Sequence, residues 1–256
     1  MSNRINTSVV IVNRNQADHL KNTLKSVFKN KGSFEVIMVD DYSGDNSVEV
    51  AEQFPVKLIQ NKENLGPSKS RNIAAKEAKG KYILFLDSDM KIDENYIQGL
   101  MDYLETHPDV GIVSGKIVSN RGERLHWNFG HDPSILRDTL SGIAEFLVLL
   151  SFPKNLITPF SLNHVRDEER KVHWVRESAF MIRRDLFDKL GGFDEKFFMY
   201  AEGPDLCRRI RKNGFQVCYY PAVSVRDLGG HTYKSILNRK MLHSTLHYYK
   251  KHPKLF

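Results

Sequence analysis

Residues 83–93 read ILFLDSDMKID, an apolar run ending in two aspartates, Asp87 and Asp89, one residue apart. In an extended chain residues i and i+2 point to the same side, so this spacing sets both carboxylates on one face at the C-terminal end of a strand. Two such charges about 6 Å apart repel by roughly 3 kcal/mol at an effective dielectric near 20, which calls for a compensating positive group. A hard divalent cation answers that need, since Mg2+ is commonly held by one or two carboxylates and completed by substrate phosphates. The same residues also suit a solvated turn in which one aspartate caps a helix beginning near Asp93. Alone, the pair leaves both readings open.

The elements that must position these aspartates are legible upstream. β-Branched apolar runs alternate with helical patterns: TSVVIVN (7–13) before 17–29, FEVIMVD (34–40) before 46–53, VKLIQN (56–61) before 67–78, then KYILFLD (81–87). Such alternation predicts an α/β fold with βαβ units and a parallel sheet buried on both faces. Ligands of such sheets bind at the C-terminal strand ends. Here those ends are Asn13-Arg14-Asn15, Asp40-Asp41-Tyr42-Ser43, Asn61 to Asn64 and Asp87-Ser88-Asp89. None carries the G-x-G-x-x-G pattern that cradles a pyrophosphate on backbone amides, so a metal is expected to take that place.

Further on, a helix is expected at about 94–106 and a strand at 110–118, after which 121–170 lose clear periodicity. The apolar stretch 142–153 is too short to span a bilayer and suits a core or interfacial helix. Order returns at 172–221: a strand, a short helix 184–190 stopped by Gly191-Gly192, and a helix from Pro204 to Lys212.

Composition bounds the function. A chain of 256 residues, 41% hydrophobic, can bury one full core. No apolar run approaches a membrane span, and MSNRINTSVV lacks a signal-peptide core, so a cytoplasmic location is expected. Cys207 and Cys218 are the only cysteines and suit neither a disulfide framework nor a four-ligand zinc site. The net charge of +7 favours anionic partners; nucleic acid has nothing else in its favour and is not expected.

The ordered set VVIVNRN, VDDYSGD (39–45), NLGPSKSRN (64–72), FLDSD (85–89), GGFDEKFFMYAE (191–202) and DLGGHT (227–232) resembles the inverting family-2 glycosyltransferases of the GT-A fold, especially rhamnosyltransferase-like members. The resemblance covers nearly the whole chain. It implies a Rossmann-like, mostly parallel sheet flanked by helices, with a C-terminal acceptor-side portion. Residues 1–119 would form the nucleotide-sugar-binding half, 120–231 the acceptor-binding and catalytic half of the same domain, and 232–256 a basic helical segment. It further implies a nucleotide-diphosphate sugar donor, a glycan or lipid-linked acceptor hydroxyl, and Mn2+ or Mg2+ on the leaving diphosphate.

Carried over residue by residue, Ile11, Asn13, Asp40, Asp41, Arg71, Asp87 and Ser88 fall on the nucleotide-binding positions, with Asp40 and Asp41 at the nucleobase and Arg71 along the nucleotide. Asp89 falls on the metal-holding aspartate, and Asp87 would reach the ribose or the metal through water. Asp227 stands where relatives often place a histidine ligand, while nearby His231 reads as a hydrogen-bonded surface residue. Trp174, Glu177 and Asp194 fall where relatives form the acceptor pocket. Plain structural roles compete: Asp40 and Asp41 as helix caps, Arg71 as a solvated charge, Trp174 as core.

Inversion also needs a base for the acceptor hydroxyl. Relatives usually carry Glu-Asp where this chain has Ala201-Glu202-Gly203-Pro204-Asp205, so the usual aspartate aligns with Gly203. Glu202 is the first candidate and Asp205 the second, although an acid in a helix's first turn needs no catalytic role. The missing aspartate makes a catalytically impaired sugar-nucleotide-binding subunit the alternative. A haloacid-dehalogenase-type phosphotransferase fits poorly, because its D-x-D follows the first strand and this pair follows the fourth.

The C-terminal stretch 232–256 carries Lys234, Arg239, Lys240, Lys250, Lys251 and Lys254 and no acidic residue. Helical spacing groups Leu242, Leu246 and Tyr249, with Ile236 and Met241 widening the stripe. Two readings follow. The segment attaches peripherally to an anionic membrane on its cytosolic side, or it packs its apolar stripe on the catalytic domain.

Overall fold

The computed structural model describes residues 5–123, 125, 128–133, 167–229 and 239–253. The first third is the expected series of strands and helices: β1 (Thr7–Asn13), α1 (Ala17–Val27), β2 (Phe34–Asp40), α2 (Ser47–Ala51), β3 (Lys57–Gln60), α3 (Pro67–Lys76) and β4 (Tyr82–Asp87). Then come β5 (Met90–Ile92), α4 (Tyr96–Thr106), β6 (Val110–Val118), β7 (Phe129–Gly130), β8 (Arg170–Lys171), β9 (Trp174–Val175), β10 (Ala179–Arg183), α5 (Arg184–Lys189), α6 (Glu202–Lys212), β11 (Gln216–Asp227) and α7 (Arg239–Lys251). The 142–153 stretch and His231 lie outside the described residues.

Nine strands form one sheet in the order β3-β2-β1-β4-β10-β6-β11-β5, with β8 on β11; β7 and β9 make a separate pair. Strands β1 to β4 run parallel, as do β6 and β11, while β10 runs antiparallel between β4 and β6. The C-terminal ends of β1, β2 and β4 therefore share a rim with the start of β10. One contact fixes this: the Asp87 amide donates to the Ser178 carbonyl at 2.9 Å. Glu177, one residue earlier, is thereby placed beside the acidic strand end.

Alternation along β4 shows why the sheet is buried on both faces. Tyr82, Leu84 and Leu86 join the core under α1 and α4, while Ile83 and Phe85 join the core under α3, α5 and α6. Phe85 centres the second layer, with the rings of Phe180, Phe187 and Phe193 at 5.4, 5.2 and 5.2 Å. Burying a ring of this size contributes roughly 2–3 kcal/mol.

Helix α6 starts two residues before the expected Pro204, which keeps the proline in the first turn, where its missing N–H costs nothing. The chain reaches it through Tyr200 and Ala201, non-glycine residues at φ 68 and 66. Such backbone is strained, and strain of this kind clusters at functional sites.

Helix α7 docks on the domain through its polar face. Ser244, Tyr248 and His252 are buried against it. Asp194 accepts from His247 at 3.2 Å and Lys251 at 2.7 Å. Asp205 is fully buried and lies 2.8 Å from Arg209, 2.8 Å from Lys251 and 2.9 Å from His252. Of the two readings of this segment, packing of the apolar stripe onto the domain does not describe Leu242 and Leu246, which are 57% and 60% exposed. The carboxylates of Asp205 and Asp194 are thus both engaged by the C-terminal helix.

Burial opposes the charge of Asp205, yet Arg209, Lys251 and His252 outweigh it and hold the carboxyl below its ordinary 3.8. Burial also lowers His252 from 6.5. A depressed carboxylate stabilises the fold above its unfolded value and loses that contribution as pH falls through the folded one; a depressed histidine costs stability once pH drops below its unfolded value. Thermal melts should therefore show stability falling as pH drops below about 6.5 and again below about 4. Asp205→Ala should cost about 3–5 kcal/mol at pH 7 in urea unfolding, as expected when one partner of a buried pair is removed.

Candidate active site

The loops at the strand ends are tied together by the two aspartates of VDDYSGD. The Asp40 carboxylate accepts from the Asn13 amide at 3.2 Å, the Ser43 hydroxyl at 2.6 Å and the Ser43 N–H at 2.9 Å. Asp41 accepts from the Asn61 amide and from the backbone N–H groups of Leu65 and Gly66, each at 2.9 Å. Both are buried and organise the β1, β2 and β3 ends. Ile11 lies wholly in the core, so its side chain supports the strand from below. Ser88 is buried too, its carbonyl accepting from the Thr23 hydroxyl at 2.8 Å. The residue at this rim that stands out is Tyr42, 59% exposed and held at φ 63. Its flat ring suits stacking on a base, and its position in the D-D-Y-S turn was the available signal.

Arg71 is buried, not solvated. Its Nη2 lies 2.7 Å from Asp87 Oδ1 and its Nη1 3.3 Å from Glu202 Oε1. Glu177 also lies within its electrostatic reach. The guanidinium stands over the Phe193 ring, 5.5 Å from its centroid. Next along α3, Asn72 binds both the N–H and the carbonyl of Phe193 at 2.9 Å, pinning the GGFD turn to the helix that carries Arg71. One cation thus faces three carboxylates. Glu202 is the one that yields: burial first, then Glu177, pushes its pKa up to about 8, against the pull of Arg71. A carboxyl that holds its proton at neutral pH is a poor base, which weakens the first candidate. Its Oε2 is buried with no hydrogen-bond partner.

A second carboxylate group lies across Asp87. Burial, then Asp87 and Asp227, raise Asp89 to about 7, while Arg176 opposes. Asp227 is buried with Oδ2 3.2 Å from Arg176 Nη1. Gly229 makes the room: a Cβ there would stand 2.3 Å from Asp89 Oδ2. This all-oxygen, electron-rich set suits a hard divalent cation, which would relieve the crowding that raises Asp89. Among the described residues no three His, Cys, Asp or Glu side chains converge tightly enough to enclose an ion. Such an ion would be held from one side and completed by ligands from outside.

Of the expected acceptor residues, Trp174 is half-buried, its indole N–H donating to the His131 carbonyl at 2.6 Å and its ring lying against Gly130. Glu177 is half-buried at the same rim as Asp87.

A metal-suited acidic group at the ends of a parallel sheet, facing a second set of carboxylates, narrows the comparison to known proteins. The family model described as glycosyl transferase family 2 matches residues 8–191, more than half of the sequence. The chain belongs to that family. It is similar to the N-acetylglucosaminyl-diphospho-decaprenol L-rhamnosyltransferase of Mycobacterium tuberculosis, 26% identical over 239 residues, covering 88% of this chain and 76% of the relative. It is also similar to the rhamnosyltransferase WbbL of Escherichia coli, 23% identical over 252 residues, covering 94% and 91%. Among solved structures, GalNAc-T7 with UDP, GalNAc and Mn2+ superposes with a TM-score of 0.67 at 18% identity, over 98% of this chain and 48% of that one. S. aureus TarS 1–349 in complex with UDP superposes at 0.60 and 20% identity, over 87% and 60%. The architecture of this glycosyltransferase is the GT-A fold.

Arg71 generates a direct prediction. Arg71→Met should destabilise this glycosyltransferase by about 1–3 kcal/mol in urea unfolding at pH 7, because it leaves the buried Glu202 without its hydrogen-bond donor and the part-buried Asp87 without its counter-charge. Arg71→Lys keeps the charge but not the two-armed reach and should fall between.

Proposed function

We propose that this glycosyltransferase moves a sugar, with inversion, from a nucleoside-diphosphate donor to a hydroxyl of a glycan or lipid-linked acceptor. The observation that carries the reading is that the strand ends bring Asp87, Asp89 and Asp227 together, with Asp227 paired to Met90 across the sheet and Gly229 leaving room for the Asp89 carboxylate. Those aspartates would hold Mn2+ or Mg2+, which when bound neutralises charge on the departing diphosphate. Asn13, Asp40 and Asp41 shape the nucleobase side, and exposed Tyr42 offers a stacking face. Arg71 holds Asp87 in place from beneath. A carboxylate of the Arg71 group takes the acceptor proton, and Trp174 offers an aromatic edge for the acceptor sugar. The rhamnosyltransferase relatives, and the UDP and Mn2+ held in the structural neighbours, support this choice of donor class and metal.

Calorimetry with UDP, TDP and GDP, with and without Mn2+, tests the reading. Binding should require the metal and weaken at least about tenfold in Asp89→Ala, a loss of about 1.4 kcal/mol. Equal affinity with and without Mn2+ would overturn it. A protein that binds the diphosphate but neither transfers nor hydrolyses any donor would be the impaired binding subunit instead.

The same reading includes a membrane-bound acceptor, reached by peripheral attachment through α7. No helix among the described residues is long and apolar enough to cross a membrane. The outward face of α7 presents Leu242 and Leu246 with exposed Lys250, in a segment with no acidic residue. Each cation near an anionic surface contributes roughly 1 kcal/mol, and shallow leucines add apolar burial. Co-sedimentation with phosphatidylglycerol vesicles should be seen at low salt, fade at high salt, and weaken in Leu242→Ser/Leu246→Ser. No binding at low salt would contradict it.

A further inference from the structure

Gly203 stands where relatives usually carry an aspartate, yet the space beside it is not empty. A Cβ built on Gly203 would lie 2.6 Å from Glu177 Oε2, 3.3 Å from its Cδ and 3.4 Å from its Cβ. The three nearest atoms all belong to Glu177: its carboxylate occupies the volume that a side chain at 203 would fill. The two residues reach this spot from different elements, Glu177 from the turn before β10 and Gly203 from the first turn of α6.

We infer that Glu177 is the catalytic base, supplying from the β9–β10 turn the carboxylate that residue 203 lacks. The inference rests on the transferase reading above and deepens it. Three observations converge. Glu177 follows from the rim contact between Asp87 and Ser178, which sets it next to the acidic strand end. It is half-buried, so an incoming hydroxyl can reach it, whereas Glu202 is 2% exposed with one oxygen on Arg71. The Glu177 Oε2 lies 2.6 Å from the Cβ position of Gly203, so the carboxylate already stands where a side chain at 203 would place one.

In the step, the Glu177 carboxylate takes the proton of the acceptor hydroxyl while that oxygen bonds to the anomeric carbon. The bond from that carbon to the diphosphate oxygen breaks, and its electron pair leaves with the diphosphate. Glu202, its Oε1 accepting from Arg71 Nη1 at 3.3 Å, is a positioning residue.

Moving the carboxylate between the two positions tests this. Hydrolysis of TDP-L-rhamnose, UDP-GlcNAc and GDP-mannose is measured with Mn2+, water standing in for the acceptor, alongside UDP affinity and melting temperature. Glu177→Gln should lower kcat by roughly 100-fold or more on whichever donor the wild type turns over, with UDP affinity within about threefold. Gly203→Asp alone should lower the melting temperature, although an acid in a helix's first turn normally stabilises it. Glu177→Gly/Gly203→Asp should regain that temperature and recover kcat at least about tenfold over Glu177→Gly. Near-normal kcat in Glu177→Gln, or a folded, UDP-binding double variant no faster than Glu177→Gly, would overturn the assignment of the base. A wild type that binds UDP with Mn2+ but cleaves no donor would overturn the transferase reading, and the base with it.

Discussion

The site depends on one buried cation. Arg71 projects from the middle of α3 and meets Asp87 at the end of β4 and Glu202 at the start of α6, joining three elements far apart in sequence. Water would screen such pairs to little effect, but here the guanidinium is buried and shielded by the Phe193 ring. Its charge cannot satisfy three carboxylates at once. The shorter contact goes to Asp87 at 2.7 Å, and Glu202, at 3.3 Å, retains a proton in compensation. The shorter contact sets Asp87 beside Asp89, and the longer one reaches across to Glu202.

From that division follow two sides of one site. On the Asp89 side the surplus is negative, raised further by Asp227, and suited to a divalent ion and a diphosphate. On the Glu202 side, Glu177 stands at a rim open to an acceptor. The antiparallel insertion of β10 between β4 and β6 makes this possible, because it returns the chain to the strand ends just where Ser178 meets Asp87. A wholly parallel sheet would have brought a strand's C-terminal end there instead. The strained Tyr200–Ala201 pair completes the arrangement by turning α6 so that its first residue points inward at Arg71.

Much of this was legible in the sequence because it rests on local pattern. Buried strands announce themselves as continuous apolar runs, so β1, β2 and β4 stand where the alternation put them, and the acidic strand ends followed. What was hidden depends on contacts between distant segments. Arg71 reads either as a nucleotide-side residue or as a solvated helix charge, and its burial among Phe193, Asp87 and Glu202 shows only in the fold. Asp205 and Asp194 read as site residues, and nothing local in the sequence shows that α7 engages both carboxylates. The stripe of Leu242 and Leu246 was visible, but which face docks is decided by the ion pairs of Lys251 and His252 with those aspartates, and a helical wheel does not contain that information. Gly203 looked like a loss because its replacement comes from residue 177, through space.

The central claim is that the donor diphosphate and its metal lie on the Asp89 side while Glu177 faces the opposite side of the sugar. A crystal structure with UDP and Mn2+, with anomalous scattering to locate the metal, tests it most directly. The account predicts one manganese peak bonded to the Asp89 carboxylate and to the diphosphate oxygens, with the Glu177 carboxylate free of the metal. Manganese bound to Glu177, or UDP seated away from the ends of β1, β2 and β4, would contradict it.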